Sequence, residues 1–182
     1  MKQWVNLLLV LLLADPAGYA QLFKTVTRAT ASPRAYEKIE WDITLSEQFQ
    51  NPYNQQEVSL DLVLTAPNGQ PLVVPAYFEQ NGPQSSHWKA RFAPQQTGTY
   101  RGLFRLTRKA GAPQESAANP FVVAAGRKPG FLHKNDQYTF RFDNGQLFRG
   151  IGENVGWEAR SFENQKFTYE YLLPTLAKNG AN

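Results

Sequence analysis

From Tyr36 onward the chain alternates. In YEKIEWDITL, Ile39, Trp41, Ile43 and Leu45 fall on one side, and Lys38, Glu40, Asp42 and Thr44 on the other. A repeat of two is what a half-buried β-strand requires. The repeat returns at Val58, Leu60, Leu62 and Leu64, and at Leu72, Val74, Ala76 and Phe78. It recurs at Trp88, Ala90 and Phe92, and at Tyr100, Gly102, Phe104 and Leu106. Turn-forming clusters separate the runs: Asn51-Pro52-Tyr53-Asn54, Pro67-Asn68-Gly69, Asn81-Gly82-Pro83 and Thr97-Gly98. Short strands at even spacing predict a mainly β fold, an antiparallel immunoglobulin-like β-sandwich over residues 36–126. Its last strand is expected at Pro120 to Ala124, after a loop from Ala110 to Asn119. Residues 21–35 read as a polar lead-in with one short strand at Phe23 to Thr27.

The pattern changes after Gly126-Arg127-Lys128-Pro129-Gly130, which reads as a linker. Tyr138 to Phe142 and Gln146 to Arg149 are strand-like and flank Asp143-Asn144-Gly145, the chemistry of a tight hairpin turn. In KFTYEYLLPTLAKNG, Tyr169, Leu172, Leu173 and Leu176 have helical spacing, with Gly180 placed to end the helix. Pro174 inside it predicts a kink or a fresh helix start. One strand followed by one helix is half of a βαβ unit, so residues 127–182 read as the start of a domain that continues beyond Asn182.

The first twenty residues, MKQWVNLLLVLLLADPAGYA, have a basic start, an apolar centre and the small residues Gly18 and Ala20 before a cleavage point. They predict a signal peptide cleaved near Ala20 and a secreted or periplasmic protein. The apolar run falls well short of the ~20 residues that span a bilayer, so no membrane span is expected after cleavage. The chain has no cysteine, which removes disulfides, thiolate nucleophiles and Cys-ligated zinc from consideration. The net charge of +4 comes from scattered Lys and Arg, a poor match to a nucleic-acid partner.

Candidate chemistry concentrates in RGIGENVGWE, where Gly152, Glu153, Asn154, Gly156 and Trp157 follow strand-like residues. Glu153 and Glu158 lie on a Gly-rich loop that fixes no separation between them, so no catalytic residue is assigned. His87 falls on an outer strand face and His133 in the hairpin, neither in a metal-binding spacing; no metal or cofactor is expected. Of the aromatic residues, Trp41, Phe78, Trp88 and Tyr100 fall on apolar stripes and read as core. Tyr53, in a turn, and Tyr77, opposite Phe78, remain as weaker exposed candidates for sugar contact.

NPYNQQEVSLDLVLTAPNGQ, HWKARFAPQQTGTYRG and the closing FVV resemble the N-terminal β-sandwich domain of unknown function that precedes cellulase-like glycoside hydrolase barrels in secreted bacterial proteins. GFLHKNDQYTFRFDNGQLFRGIGENVGW and YLLPTLAKNGAN look like the entry to that (β/α)8 barrel. The resemblance implies a truncated chain: an accessory sandwich and the first βα unit of a glycoside hydrolase, without its catalytic carboxylates. It implies that Glu153, Asn154 and Trp157 face the sugar site at the strand's C-terminal end. Polysaccharide or oligosaccharide would be met through the rest of the barrel, with the sandwich packed on the catalytic domain. A non-catalytic module that binds carbohydrate or docks on another domain is the alternative. An adhesin-like or chaperone-like sandwich accounts for residues 36–124 only.

Overall fold

The computed structural model describes residues 22–155 and 166–182. Two compact units follow one another, divided between Ala125 and Gly126. The signal-peptide reading, Gly156, Trp157 and Glu158 lie outside the described residues.

The first unit holds eight strands, β1 (Phe23–Arg28), β2 (Ile39–Leu45), β3 (Val58–Thr65), β4 (Pro71–Pro75), β5 (Tyr77–Gly82), β6 (Ser85–Phe92), β7 (Gly98–Arg108) and β8 (Gln114–Val123). They form two four-stranded antiparallel sheets, ordered β1-β2-β6-β5 and β4-β3-β7-β8. The inward residues are those the alternation picked out: Ile39, Trp41, Ile43 and Leu45 meet Leu60, Leu62, Leu64, Phe104 and Leu106 in one core. Trp41 lies edge-on to Phe104 and to Phe121, linking one sheet to the other.

Buried polar groups are satisfied locally. The Trp88 Nε1–H donates to Ser86 Oγ at 3.0 Å, and that hydroxyl donates in turn to the Glu47 carbonyl at 2.7 Å. The Tyr100 hydroxyl donates to the Gln96 carbonyl and accepts from the Gln96 N–H, while burial pushes its pKa up.

Three features depart from the expected strand map. The single run expected from Leu72 to Phe78 is two strands, β4 and β5, which belong to different sheets. The lead-in is not peripheral: β1 runs the length of β2 as the edge of the first sheet, from Phe23 opposite Leu45 to Arg28 opposite Trp41. Most of the expected loop from Ala110 to Asn119 is strand, because β8 begins at Gln114 and pairs with β7 from Leu106 back to Gly98. The inward positions at its start, Gln114, Ser116 and Ala118, carry too little hydrophobicity to signal a strand. Pairing with the long β7 supplies the order instead, and an Arg105–Glu115 ion pair at 2.9 Å spans the two strands.

Gly102 occupies a position only glycine fits. A Cβ there would meet the Val63 carbonyl oxygen at 2.2 Å, on the neighbouring strand β3. At the sheet edge, β4 begins and ends with proline, and Ala76 just past it donates its N–H to the Leu60 carbonyl of β3.

The second unit has a three-stranded sheet, β9 (Leu132–Lys134), β10 (Phe140–Phe142) and β11 (Leu147–Phe148), in the order β11-β10-β9, and a helix α1 (Lys166–Lys178). The expected hairpin is present, and β9 adds a strand the sequence did not announce. Asp143 ties it together, with one carboxylate oxygen accepting from the Phe131 N–H at 2.7 Å and the other 2.6 Å from His133 Nε2. Pro174 neither ends α1 nor starts a new helix; the helix runs continuously through it. Gly180, at φ +95°, closes α1 as expected: its N–H reaches the Ala177 carbonyl and the Ala181 N–H reaches Leu176, a Schellman pair. Tyr169, Leu172 and Leu176 are half-buried, but Leu173 is exposed and lies off the stripe. Among the described residues no helix is long and apolar enough to cross a membrane.

Candidate functional sites

The turn before β3 is tightly ordered by its own side chains. Asn51 Oδ1 accepts from the Tyr53 N–H, Asn54 Oδ1 from the Gln56 N–H, and Glu57 Oε1 from the Asn51 N–H. The Asn54 carbonyl accepts from both Glu57 and Val58. Such Asx geometry explains why Asn-Pro-Tyr-Asn forms this turn. It also fixes Tyr53 at the tip, where its ring is 77% exposed.

That ring is braced from below. Tyr53 meets Phe78 edge-on at 5.6 Å, Phe78 meets Trp88 at 5.5 Å, and Trp88 meets Phe49 at 6.0 Å, each at a steep interplanar angle. A ladder of rings thus runs from the buried core to an exposed tyrosine. Where the chain crosses from one sheet to the other at Ala76, Tyr77 emerges and comes to line the same shallow groove as Tyr53. The groove, about 180 Å³, also takes in Gln55, Ser59 and Asp61. The two tyrosines, far apart in sequence and on different elements, are therefore neighbours of one surface feature.

Asp61 receives the Ser59 hydroxyl on one oxygen at 2.7 Å, and no salt bridge reaches it among the described residues. The carboxylates on the outer face of the first sheet are otherwise. Lys89 bridges Glu79 at 2.9 Å and Asp42 at 3.6 Å, and Glu40 lies between Arg91 and Lys38. The Arg91 hydrogen bond, aided by Lys38, holds the Glu40 carboxyl below its usual range against the opposing effect of burial. Arg91 also covers a face of Tyr77, 5.1 Å from the ring centroid. Tyr77 is thus a wall of the groove and Tyr53 its open ring.

In the second unit, Glu153 and Asn154 follow β11 and are exposed. They stand near a contact that sequence reading missed. The side chain of Asn182, past the end of α1, accepts from the Ile151 N–H and donates to the Arg149 carbonyl, both at 3.0 Å. Its backbone N–H donates to the Ile151 carbonyl, also at 3.0 Å. The chain leaving α1 therefore returns to the segment that follows β11. Only the terminal Asn-Gly-Ala-Asn, read as a helix stop, hinted at this.

His87 Nδ1 lies 3.3 Å from Thr44 Oγ1 on the neighbouring strand, and His133 is held by Asp143. Among the described residues no group of three or more His, Asp or Glu is placed to hold a metal ion.

Residues 32–101, from the segment before β2 into β7, match the family model described as Domain of unknown function (DUF5060). No curated protein matches the chain. Among solved structures, it is similar to the protein lmo2446 of Listeria monocytogenes EGD-e, crystallised with α-D-glucose, β-D-glucose, magnesium and calcium. The identity is 18% and the TM-score 0.44, covering 69% of this chain and 11% of that one. It is also similar to the cycloalternan-forming enzyme from Listeria monocytogenes in complex with a pentasaccharide substrate, at 18% identity and a TM-score of 0.41. That match covers 69% of this chain and 12% of the enzyme, so the chain spans about a ninth of the length of either.

Proposed function

We propose that this chain is the accessory sandwich and barrel entry of a secreted, cellulase-like glycoside hydrolase that acts on a polysaccharide. The sandwich itself, of immunoglobulin-like type, carries no catalysis. The observation behind this reading is the return of Asn182 to Arg149 and Ile151 after α1. A helix whose following segment comes back beside residues 149–151, which precede it, has the connectivity of a βαβ crossover, the repeating unit of a (β/α)8 barrel. The DUF5060 match over residues 32–101, and the motifs that resemble the domain preceding such barrels, support the same reading.

In a barrel, loops at the C-terminal ends of the strands form the substrate site. Glu153 and Asn154 then offer hydrogen bonds to sugar hydroxyls, and Trp157 offers a ring face. Glycoside hydrolysis needs two carboxyl groups held about 5 to 9.5 Å apart. In this reading both come from later strands of the parent enzyme, on which the sandwich packs. Residues 1–20 direct it to the periplasm or beyond the cell.

Sequencing the locus past the codon for Asn182 tests the proposal. A reading frame that continues through alternating strands and helices, with glutamates at strand ends, bears it out. A stop codon overturns it in favour of a non-catalytic module. Assay of the chain on a glycan panel should show no turnover, and turnover abolished by Glu153→Gln would also overturn it.

A further inference from the structure

The groove between Tyr53 and Tyr77 has the chemistry of a carbohydrate site, and it stands apart from the barrel reading. We infer that it binds one residue of a neutral glycan, with the pyranose laid on Tyr53 and its hydroxyls on Asp61 and Gln55. Four observations carry this. The Tyr53 ring is 77% exposed, so it contributes little to the core that would explain its presence. Yet it is not loose: the Asn51 side chain holds its backbone N–H, and its ring packs against Phe78. A rigid exposed ring binds at low cost in conformational entropy.

The polar side of the groove selects the ligand. Asp61 has one oxygen engaged by Ser59 and no cation paired with it, which leaves acceptor capacity for a hydroxyl group. No Lys or Arg is among the described residues lining the groove. A sulfated or uronic acid unit would place its anion beside the Asp61 carboxylate, a contact between like charges, so the geometry favours an uncharged sugar. An apolar ring beside hydroxyl acceptors fits the two sides of a pyranose, whose C–H face is apolar and whose rim is hydroxylated. At about 180 Å³ the groove falls below the roughly 300 Å³ lower bound of drug-sized pockets, which sets the scale at a single sugar unit.

Titration of the isotope-labelled full chain with cellohexaose, mannohexaose, xylohexaose and maltohexaose, followed by amide NMR, tests the inference. At least one neutral oligosaccharide should shift the amides of Tyr53, Gln55, Asp61 and Tyr77 saturably, and hexagalacturonate should shift none of them. Tyr53→Ala should weaken binding about tenfold or more, and Asp61→Asn several-fold, with unchanged melting temperatures. Three results overturn it: no shift with any neutral oligosaccharide, shifts that Tyr53→Ala leaves intact, or tighter binding of hexagalacturonate. Because the barrel reading is decided by the locus, either proposal can fail without the other.

Discussion

The indole of Trp41 and the ring of Phe121 lie edge to face, centroids 5.5 Å apart and planes at 64°. One ring comes from β2 and the other from β8, so this pair spans the two sheets. Phe121 is stacked in turn on Tyr100, at 5.4 Å and 6°. Losing Trp41 removes one side of that cluster and leaves a void between the sheets. Trp41→Ala should cost about 3 to 5 kcal/mol, the range for a large aromatic removed from a packed core. Urea unfolding followed by tyrosine fluorescence or circular dichroism measures it.

Gly102 invites a different failure. A methyl group on it collides with the Val63 carbonyl, backbone that cannot move without dragging β3 from β7. Gly102→Ala should destabilise the sandwich by about 1 to 3 kcal/mol despite a gain in strand propensity. If its melting temperature equals that of the parent chain, the close approach of β3 and β7 is wrong.

The elements of the chain differ in how openly the sequence announced them. Period-two runs revealed β2, β3, β6 and β7 because their inward residues are large and apolar, as Trp41 and Phe104 show. The end of β8 was legible from Pro120 on, but its start escaped because Gln114, Ser116 and Ala118 carry no such signal; its partner strand, distant to any local reading, makes that part a strand. The candidate site was half legible. Tyr53 and Tyr77 stood out singly, but their meeting depends on the crossover at Ala76, which no periodicity encodes. Asn182 was hidden for the same reason, since its bonds to Arg149 and Ile151 are made across the helix between them.

The Arg91–Glu40 pair should make stability sensitive to acid. Glu40 has a folded pKa below its unfolded value, so its contribution is complete above the free-glutamate value of about 4.3 and is lost as pH falls through the folded value. Arg91→Gln should flatten that part of the pH–stability curve while leaving neutral stability little changed, since the pair is solvent-screened. Thermal melts between pH 2 and pH 7 compare the two chains.

Asn182→Ala should loosen the segment after β11 and little else. Without the side-chain carbonyl, the Ile151 amide loses its acceptor, a bond worth about 1 kcal/mol, and its hydrogen exchange should quicken about fivefold. Exchange at Trp88 and Ala90, in the other unit, should stay as it was.

A chain ending at Ala125 should fold by itself, because its buried core runs from Leu22 to Val123 and takes in no residue of the second unit. Cooperative unfolding and a β-type circular dichroism spectrum are expected. A disordered product would show that residues 126–182 take part in the sandwich.

The prolines that bound β4 govern how this domain behaves when crowded. Ala76 turns its N–H toward β3, so by alternation the N–H positions of residues 71, 73 and 75 face away from the sheet. At 71 and 75 proline supplies no hydrogen at all, leaving Val73 as the single outward donor of the strand. A newcomer strand cannot zip onto one donor, so this edge resists the templated stacking that turns sandwich domains into fibrils. Pro71→Val with Pro75→Val would restore the missing donors without altering the core, and would be expected to convert a well-behaved domain into one that polymerises through its flank.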